Sequence, residues 1–429
     1  MLNFFLGEFF KYLLRVQFRG DIMKKIISII SLVFLLVISF SGCLNSKADF
    51  AVNSVKRKKE VQTKLMQENQ DFSYQLLQTI AGQEKKQNIA LSPLSVTTIL
   101  TMLYNGAKGE SKTALAKRLG LQGLTVAEVN NYYQNLQSEL LTTKQRVELK
   151  FTNSMWLDDN LQLRKKFMSK MDKYYQGQAF QTDFSKPSAV AEVNNWITKQ
   201  TEGKITDMID SLTGVKMMLI NALYFKSKWQ TQFPKSNTSQ ELFTTITGHK
   251  KQVATMKQQT KFNYYQDDKI KLLELPYHEQ RLAMYIVLPN KEIKFNSWLE
   301  DITAQQIQAK INKLSVKEVK VALPKFKLSS GSKQLNGVLT QMGLGILFNG
   351  GDLSKIAPNV TVGSIEHQAV IEVTEEGSEA AGVTDAKMPT ARPPGAVKIF
   401  KADHPFLFMI QDKKTATILF IGQIVDPEL

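Results

Sequence analysis

Residues that could catalyse a reaction or hold a metal are sparse in this chain of 429 residues. The four histidines, His249, His278, His367 and His404, are far apart, and none has the spacing of a zinc-binding motif. Ser330-Gly331-Ser332-Lys333 fits the SxxK pattern of a serine nucleophile but lacks the SDN and KTG companions, and there is no GxSxG elbow. The sequence therefore predicts no catalytic residue, no metal and no cofactor.

The strongest functional signal lies in Glu372–Phe408, which joins two predicted strands. Between Ser378 and Met388 every charge falls in one alternate set, Glu379, Asp385 and Lys387, while the other set is uncharged. Successive side chains of a strand point to opposite faces, so this segment could enter a sheet with its uncharged face inward. Residues that weaken strands or form turns stand before, within and after this pattern. They are Gly377, Gly382, Pro389, Pro393, Pro394 and Gly395. The pattern predicts a mobile loop that can become a strand; the alternative is an ordinary surface connection.

Composition sets the broad class of the protein. With 43% hydrophobic and 22% charged residues the chain is ordinary globular material, not a disordered or fibrous one. The formal net charge of +16 favours contact with anionic surfaces or polyanions. The basic residues are scattered or in short pairs, without a basic stripe interleaved with aromatic residues, so we predict no nucleic-acid partner.

The N-terminal stretch has the three parts of a secretion signal. A basic start at Met23-Lys24-Lys25 precedes the apolar run Ile26–Phe40, and Ser41-Gly42 supply small residues before Cys43. This resembles a bacterial lipoprotein signal, although phenylalanine stands at position 40, where leucine is usual. The resemblance implies cleavage before Cys43, lipid on Cys43 and anchoring to the bacterial cell envelope, facing the periplasm or the cell surface. The alternatives are an uncleaved signal anchor and a chance cysteine.

The rest of the chain predicts a linker and one large domain. Residues 1–42 are interpreted as an upstream extension plus signal peptide, with the natural start at Met23, and residues 43–60 as a basic linker that rests on anionic lipid or stays solvated. Residues 61–429 form the domain, with helices first and strands later, which predicts a mixed α+β fold with large antiparallel or mixed sheets. Helical patterns cover 72–80, 92–106, 111–119, 126–141, 164–175 and 189–200, and strand-like runs cover 217–225, 272–275, 282–288, 316–323, 369–373, 397–400, 406–411 and 417–421.

Seven groups of short motifs, in order along the chain, resemble the signatures of the serpin family. They are Asn88–Ser95 with Asn105–Gly109, Asn195-Trp196 with Thr201–Ile205, Asn221–Lys226 with Trp229, Leu323–Phe326, His367–Val373, Glu375–Ala381, and Phe400–Phe408. From about Val61 to Pro427 the chain is therefore similar to a serpin. The resemblance implies an α+β serpin fold with three β-sheets, eight or nine helices and an exposed reactive-centre loop.

The resemblance also implies a function as an inhibitor of serine proteases or, as for some members of the family, of cysteine proteases. In inhibitory serpins the protease cuts the loop, forms an acyl-enzyme and is trapped as the loop inserts into the main sheet. The hinge residues that match are Glu375, Gly377, Ser378, Ala380, Ala381, Gly382 and Thr384. A non-inhibitory serpin, acting as a binding or chaperone-like module, is the alternative.

The match places the reactive bond between Ala391 and Arg392. A small residue before the bond suits an elastase-like or subtilisin-like protease, whereas a cut after Arg392 would meet Pro393. Lys387 or Met388 would serve if the register slides. The expected partners are thus a target protease and, through Cys43, a membrane, and the protein is expected to be a monomer.

Five further residues match serpin positions that control conformation. Ser92, Ser95, Asn221 and His367 match a buried polar cluster beneath the opening of the main sheet, and Trp229 matches the tryptophan at the insertion point. A serine near a histidine suggests a catalytic triad, but no carboxylate partner is evident. We expect these residues to be structural.

Overall fold

The computed structural model describes residues 53–141, 147–175, 177–328, 332–378 and 396–428. The chain divides into two units, Met1–Glu60 and Val61–Leu429. In the first unit residues 53–60 are helical and exposed, where the sequence suggests only a polar linker. Lysine, arginine and glutamate favour helix without an apolar stripe, so periodicity could not reveal these two turns of helix. Across the described ranges no helix is long and apolar enough to cross a membrane.

The described part of the second unit contains nine α-helices. They are α1, residues 61–83; α2, Pro93–Gly106; α3, Gly109–Arg118; α4, Val126–Leu141; α5, Lys165–Tyr175; α6, Ser188–Gln200; α7, Phe295–Asp301; α8, Ala304–Ile311; and α9, Asn336–Leu339. Pro93 begins α2, where its missing N–H costs nothing in the first turn. Before α4, Thr125 and Glu128 each accept a hydrogen bond from the other's backbone amide, as in a capping box.

Sixteen strands lie in the same described ranges. They are β1, Ile89–Leu91; β2, Val147–Asp158; β3, Gln178–Thr182; β4, Met217–Lys228; β5, Ser239–Thr244; β6, Lys250–Gln266; β7, Ile270–Pro276; β8, Leu282–Pro289; β9, Ser315–Pro324; β10, Phe326–Leu328; β11, Lys333–Gln334; β12, Ser364–Val373; β13, Gly377–Ser378; β14, Lys398–Lys401; β15, Phe406–Asp412; and β16, Thr417–Ile424. The prediction of a mixed α+β fold is confirmed.

The main sheet has the strand order β10-β12-β13-β4-β2-β3, with β11 also paired to β12. Its central feature is the pair β4 and β12, which run parallel and pair directly from Ser364 opposite Met218 to Val370 opposite Tyr224. Parallel pairing is slightly less stable per residue than antiparallel pairing. The two strands at the centre of the sheet are therefore a comparatively weak seam.

The remaining strands form two further sheets that share β6, so the predicted three sheets are confirmed. One has the order β1-β16-β15-β8-β7 and joins β6 through residues 263–266; the other contains β5, β9 and β14 and joins β6 through residues 250–264. The sequence analysis missed β6 because its 17 residues are mostly polar. Pairing with neighbouring strands on both sides, and not a run of apolar residues, stabilises β6 as a strand.

Two apolar cores cover the two faces of β4. Met217, Leu219, Leu223 and Phe225 belong to the larger core, while Met218, Ile220 and Ala222 pack with Val193 and Ile197 of α6 in a smaller one. A central strand buried on both faces carries a continuous apolar run, which is why the sequence pattern predicted this strand correctly.

Candidate functional site

The short strand β13 lies in the main sheet between β4 and β12 and is antiparallel to both. Ser378 is fully buried there, and its hydroxyl lies 2.7 Å from that of Tyr277. At Gly377 the backbone passes so close to β4 that an added Cβ would stand 2.1 Å from the carbonyl oxygen of Ser227, so only glycine fits. The first two residues of the proposed inserting segment are thus already strand residues.

The turn before β13 is held by Trp229, at the end of β4. Its indole Nε1 donates to the carbonyl of Thr374 (2.9 Å), and its backbone N–H donates to the carbonyl of Glu376 (2.9 Å). The indole stacks on Tyr277, with ring centroids 4.6 Å apart. One aromatic pair therefore contacts both the turn and Ser378, and the sequence analysis gave Tyr277 no role.

Two ion pairs hold the same turn from the side. Lys325 Nζ lies 3.1 Å from Glu375, which also accepts a hydrogen bond from Thr238 (2.8 Å), and Lys235 Nζ lies 2.7 Å from Glu376. Burial opposes ionisation of Glu375, but hydrogen bonds from its own amide, Thr238 and Lys325 outweigh burial and hold the pKa of this carboxyl below its usual range. Of these two glutamates, the sequence analysis assigned Glu375 to the hinge and gave Glu376 no role.

A buried polar cluster fastens the seam below the hinge. The backbone N–H of Ser92 donates to His367 Nε2 (3.0 Å), so Nδ1 carries the proton and donates to Asn221 Oδ1 (2.8 Å). Asn221 in turn donates to Asn153, and Ser92 Oγ donates to Ser95 Oγ (2.9 Å). His367 and Asn221 are direct partners across β12 and β4, so this hydrogen bond crosses the seam.

This arrangement does not activate a nucleophile. His367 contacts the backbone amide of Ser92, not its hydroxyl, and the other ring nitrogen faces an amide rather than a carboxylate. Lys333 of the SxxK stretch is paired with Glu84 at 2.6 Å. The cluster joins β12 to β4, and its geometry among the described residues offers no acyl-transfer chemistry.

His367 makes the stability of the uncut protein depend on pH. Burial and then the charge of Lys333 lower the pKa of His367 to about 3, from an ordinary value of 6.5. Between these values the unfolded chain binds a proton that the folded chain does not, so the free energy of unfolding falls by about 1.4 kcal/mol per pH unit as pH drops below about 6.5. Urea titrations of wild type and His367→Gln between about pH 5 and 6.5 should show this slope only in wild type. His249→Gln, at an exposed position, should keep the same slope. Loss of the slope in this control variant would contradict its assignment to His367.

Ser378 offers a matched pair of substitutions. Ser378→Ala leaves the buried Tyr277 hydroxyl without its partner and should lower the free energy of unfolding by about 1–3 kcal/mol. Ser227 stands opposite Ser378 and is also buried, but its hydroxyl has no hydrogen-bond partner among the described residues. Ser227→Ala should therefore cost nothing measurable in the same urea titration. Equal losses for both variants would refute a role for the Ser378–Tyr277 contact.

Several predicted site residues lie outside the described residues, and the structure says nothing of them: Cys43, Ala380, Ala381, Gly382, Thr384, Ala391 and Arg392. The described ones fall into two groups, the hinge with Trp229, and the cluster of His367 and Asn221 farther along the seam. Asp158, Asp159 and Asp183 bring carboxylate oxygens within 4.8 Å of one another on other elements, and Asp183 already pairs with Lys186 at 3.4 Å.

Comparisons with known proteins give one family and two kinds of relative. A family model described as serpin (serine protease inhibitor) matches residues 67–427. An uncharacterised serpin-like protein of Thermococcus kodakarensis is 34% identical over 368 residues, 83% of this chain and 84% of that protein. The leukocyte elastase inhibitor of Equus caballus is 33% identical over 378 residues, 84% and 98% of the two chains. The crystal structure of human thyroxine-binding globulin complexed with thyroxine is similar with a TM-score of 0.79 at 27% identity, over 86% of this chain and 100% of that one.

Proposed function

The chain belongs to the serpin family, and from this premise we propose that it inhibits serine proteases as a suicide substrate. A protease attacks the bond between Ala391 and Arg392 and forms an acyl-enzyme on Ala391. The cleaved loop then inserts between β4 and β12 and displaces the bound protease before hydrolysis. On this proposal the protein is an inhibitor, not an enzyme, and needs no cofactor.

The observation that carries the proposal is the position of β13. Gly377 and Ser378 already lie opposite Lys228 and Ser227, antiparallel to β4. Continuing this register moves one residue back along β4 for each residue of the loop, so Met388 would stand opposite Met217, the first residue of β4. The uncharged set of residues therefore has the length that β4 can accept.

The register also supports the two faces of the loop. Residues that pair directly across a sheet carry their side chains on the same face. The uncharged loop residues Ser378, Ala380, Gly382 and Thr384 would stand opposite the buried residues Ser227, Phe225, Leu223 and Asn221 of β4. Insertion in the opposite alternation would bring Glu379 to the face of β4 that belongs to the larger core.

The same register on the β12 side identifies what insertion must break. Ser378 pairs with Val373, so Thr384 would stand opposite His367 as well as Asn221. Asn221 and His367 are now bonded to each other. Insertion separates them and places the Thr384 hydroxyl between them, where it can accept the proton of His367 Nδ1.

A panel of elastase-, subtilisin-, trypsin- and papain-like proteases tests the proposal. The chain from Leu44 onward should form a denaturant-resistant adduct with a serine protease that accepts alanine before the cut. Mass analysis of the released C-terminal peptide then identifies the bond. Cleavage of the loop by every protease, with each enzyme remaining active, would refute inhibition.

A binding or chaperone-like serpin without inhibitory activity is the second candidate. It is supported by the similarity to thyroxine-binding globulin, whose structure holds a ligand. Such a protein would be cut in the loop without trapping the protease. The adduct assay distinguishes the two functions directly.

We also propose that Cys43 is lipidated and anchors the protein to a bacterial membrane. The support is the signal pattern at residues 23–43 and the absence of a second cysteine for a disulfide. The mature protein purified from membranes should begin at Cys43 with added acyl mass. A mature chain that still carries residues 23–42 would refute the lipid anchor.

A further inference from the structure

A cluster of exposed apolar and basic side chains lies on the sheet that contains β14. We define the basic edge as Lys261 of β6, Val316 and Lys320 of β9, and Ile399 of β14. Val316 is 63% exposed and Ile399 is 62% exposed. Single exposed apolar residues are ordinary, but two on one small sheet beside lysines suggest a contact surface.

The strand register places these side chains together. Ile399 stands opposite Lys320, which in turn stands opposite Gln259 of β6. Lys261 is opposite Glu318, and Val316, two residues before Glu318, is on the same face of β9. Neighbouring strands lie about 4.8 Å apart, so the apolar and basic groups form one continuous surface.

The positive charge of the basic edge exceeds the negative charge beside it, because the carboxylate of Glu318 is the one that stands opposite its lysines in the described strands. Lys261 and Lys320 are exposed, and neither has a carboxylate within ion-pair distance among the described residues. The nearby Glu241 is already shared by Lys257 and Lys401, and Glu318 accepts a hydrogen bond from Gln259 (2.8 Å). The surface therefore favours a partner with carboxylates around an apolar patch.

Chain length limits how far the basic edge can be from a docked protease. Ile399 follows Arg392 by seven positions, and an extended chain spans at most about 3.6 Å per residue, so the two are within about 25 Å of each other. A protease domain of about 220 residues has a radius of gyration of about 17 Å. A protease seated at the reactive bond is thus large enough to reach the basic edge.

We propose that the basic edge is a second contact surface for the target protease, and that it binds an acidic, partly apolar patch beside the protease's active-site cleft. This rests on the proposed inhibitory function. Its contribution is to the rate of encounter, because opposite charges outside the cleft accelerate association without changing the later steps.

Charge reversal tests the surface. Lys261→Glu combined with Lys320→Glu should lower the second-order rate constant of adduct formation at least about tenfold in about 50 mM NaCl, with the final adduct yield unchanged. In about 500 mM NaCl the difference from wild type should shrink to about twofold, because salt screens exposed charges. The protease is one that forms the adduct in the panel described above.

The matched control is Lys165→Glu combined with Lys166→Glu on α5, where both lysines are also exposed and the change in net charge is identical. Its rate constant should stay within about twofold of wild type. If both double variants slow adduct formation equally, the basic edge is not a contact surface for the protease. The proposed inhibitory function would be unaffected by that result. Slowing that occurs only with added heparin would identify a polyanion as the occupant and likewise overturn the proposal.

The apolar part is tested by Ile399→Ser combined with Val316→Ser, expected to slow adduct formation about threefold independently of salt. An unchanged rate would remove the apolar residues from the contact. If no protease forms an adduct with wild type, the inhibitory function fails and this surface fails with it.

Discussion

Replacing Thr384 by arginine is expected to convert the protein from an inhibitor into a substrate. If the loop inserts in the register of β13, Thr384 would stand between Asn221 and His367, both buried in the main sheet. An arginine there would bring an unpaired charge into the core, at a cost of several kcal/mol. Insertion slows about tenfold for every ~1.4 kcal/mol by which this cost raises the free-energy barrier to insertion. Hydrolysis of the acyl-enzyme then overtakes insertion, and the fraction of protease trapped should fall at least about tenfold.

The comparison is made by titrating protease with inhibitor and measuring the adduct on a denaturing gel. Glu379→Arg is the matched control, since it places the same side chain opposite Lys226, which is 34% exposed, so the charge can remain in water. The control should retain most of the wild-type adduct. Full trapping by Thr384→Arg would refute insertion in the register that β13 sets.

The sequence predicted the elements that carry continuous apolar runs, such as β4, and the helices with regular apolar spacing, such as α2. It missed β6 and α8, whose residues are polar on one side and depend on tertiary partners or on the Thr303–Gln306 capping box. The polar cluster of Ser92, Asn221 and His367 followed from the family resemblance. Its hydrogen-bond pattern, and the tautomer of His367, needed coordinates.

The sequence pattern also placed the charges of the loop in water, and the fold refines this expectation. In the hinge register Asp385 and Lys387 would stand opposite Ile220 and Met218, on the face of β4 that α6 covers. Alternation alone cannot reveal that a second core lies over this face. Insertion along the whole of β4 would therefore bring these two opposite charges beneath α6, where they can pair with each other.

Cleavage of the loop is expected to raise the melting temperature by on the order of 10 °C or more. The uncut sheet closes its seam with direct parallel pairs between β4 and β12. Entry of residues 379–388 would give this segment antiparallel neighbours on both sides, as β13 already has. A net gain of about ten hydrogen bonds at ~1 kcal/mol each is on the order of 10 kcal/mol. Near 60 °C the unfolding entropy is about 2.1 cal/mol/K per residue. For a domain of this size, each kcal/mol added to the free energy of unfolding therefore raises the melting temperature by somewhat more than about 1 °C.

Scanning calorimetry before and after cleavage measures the shift, with mass spectrometry confirming one cut in the loop. Thr384→Arg, cut at the same bond, is the decisive control, because its loop is equally free but cannot seat an arginine between Asn221 and His367 without burying the charge. A rise in wild type and none in the variant would assign the stabilisation to strand entry and not to release of the loop's two ends. An equal rise in melting temperature in both proteins would contradict insertion of the loop beyond residue 384. No rise in either protein would favour a serpin whose loop is cut without inserting. The seam between β4 and β12 is thus the part of the fold on which the proposed inhibition depends.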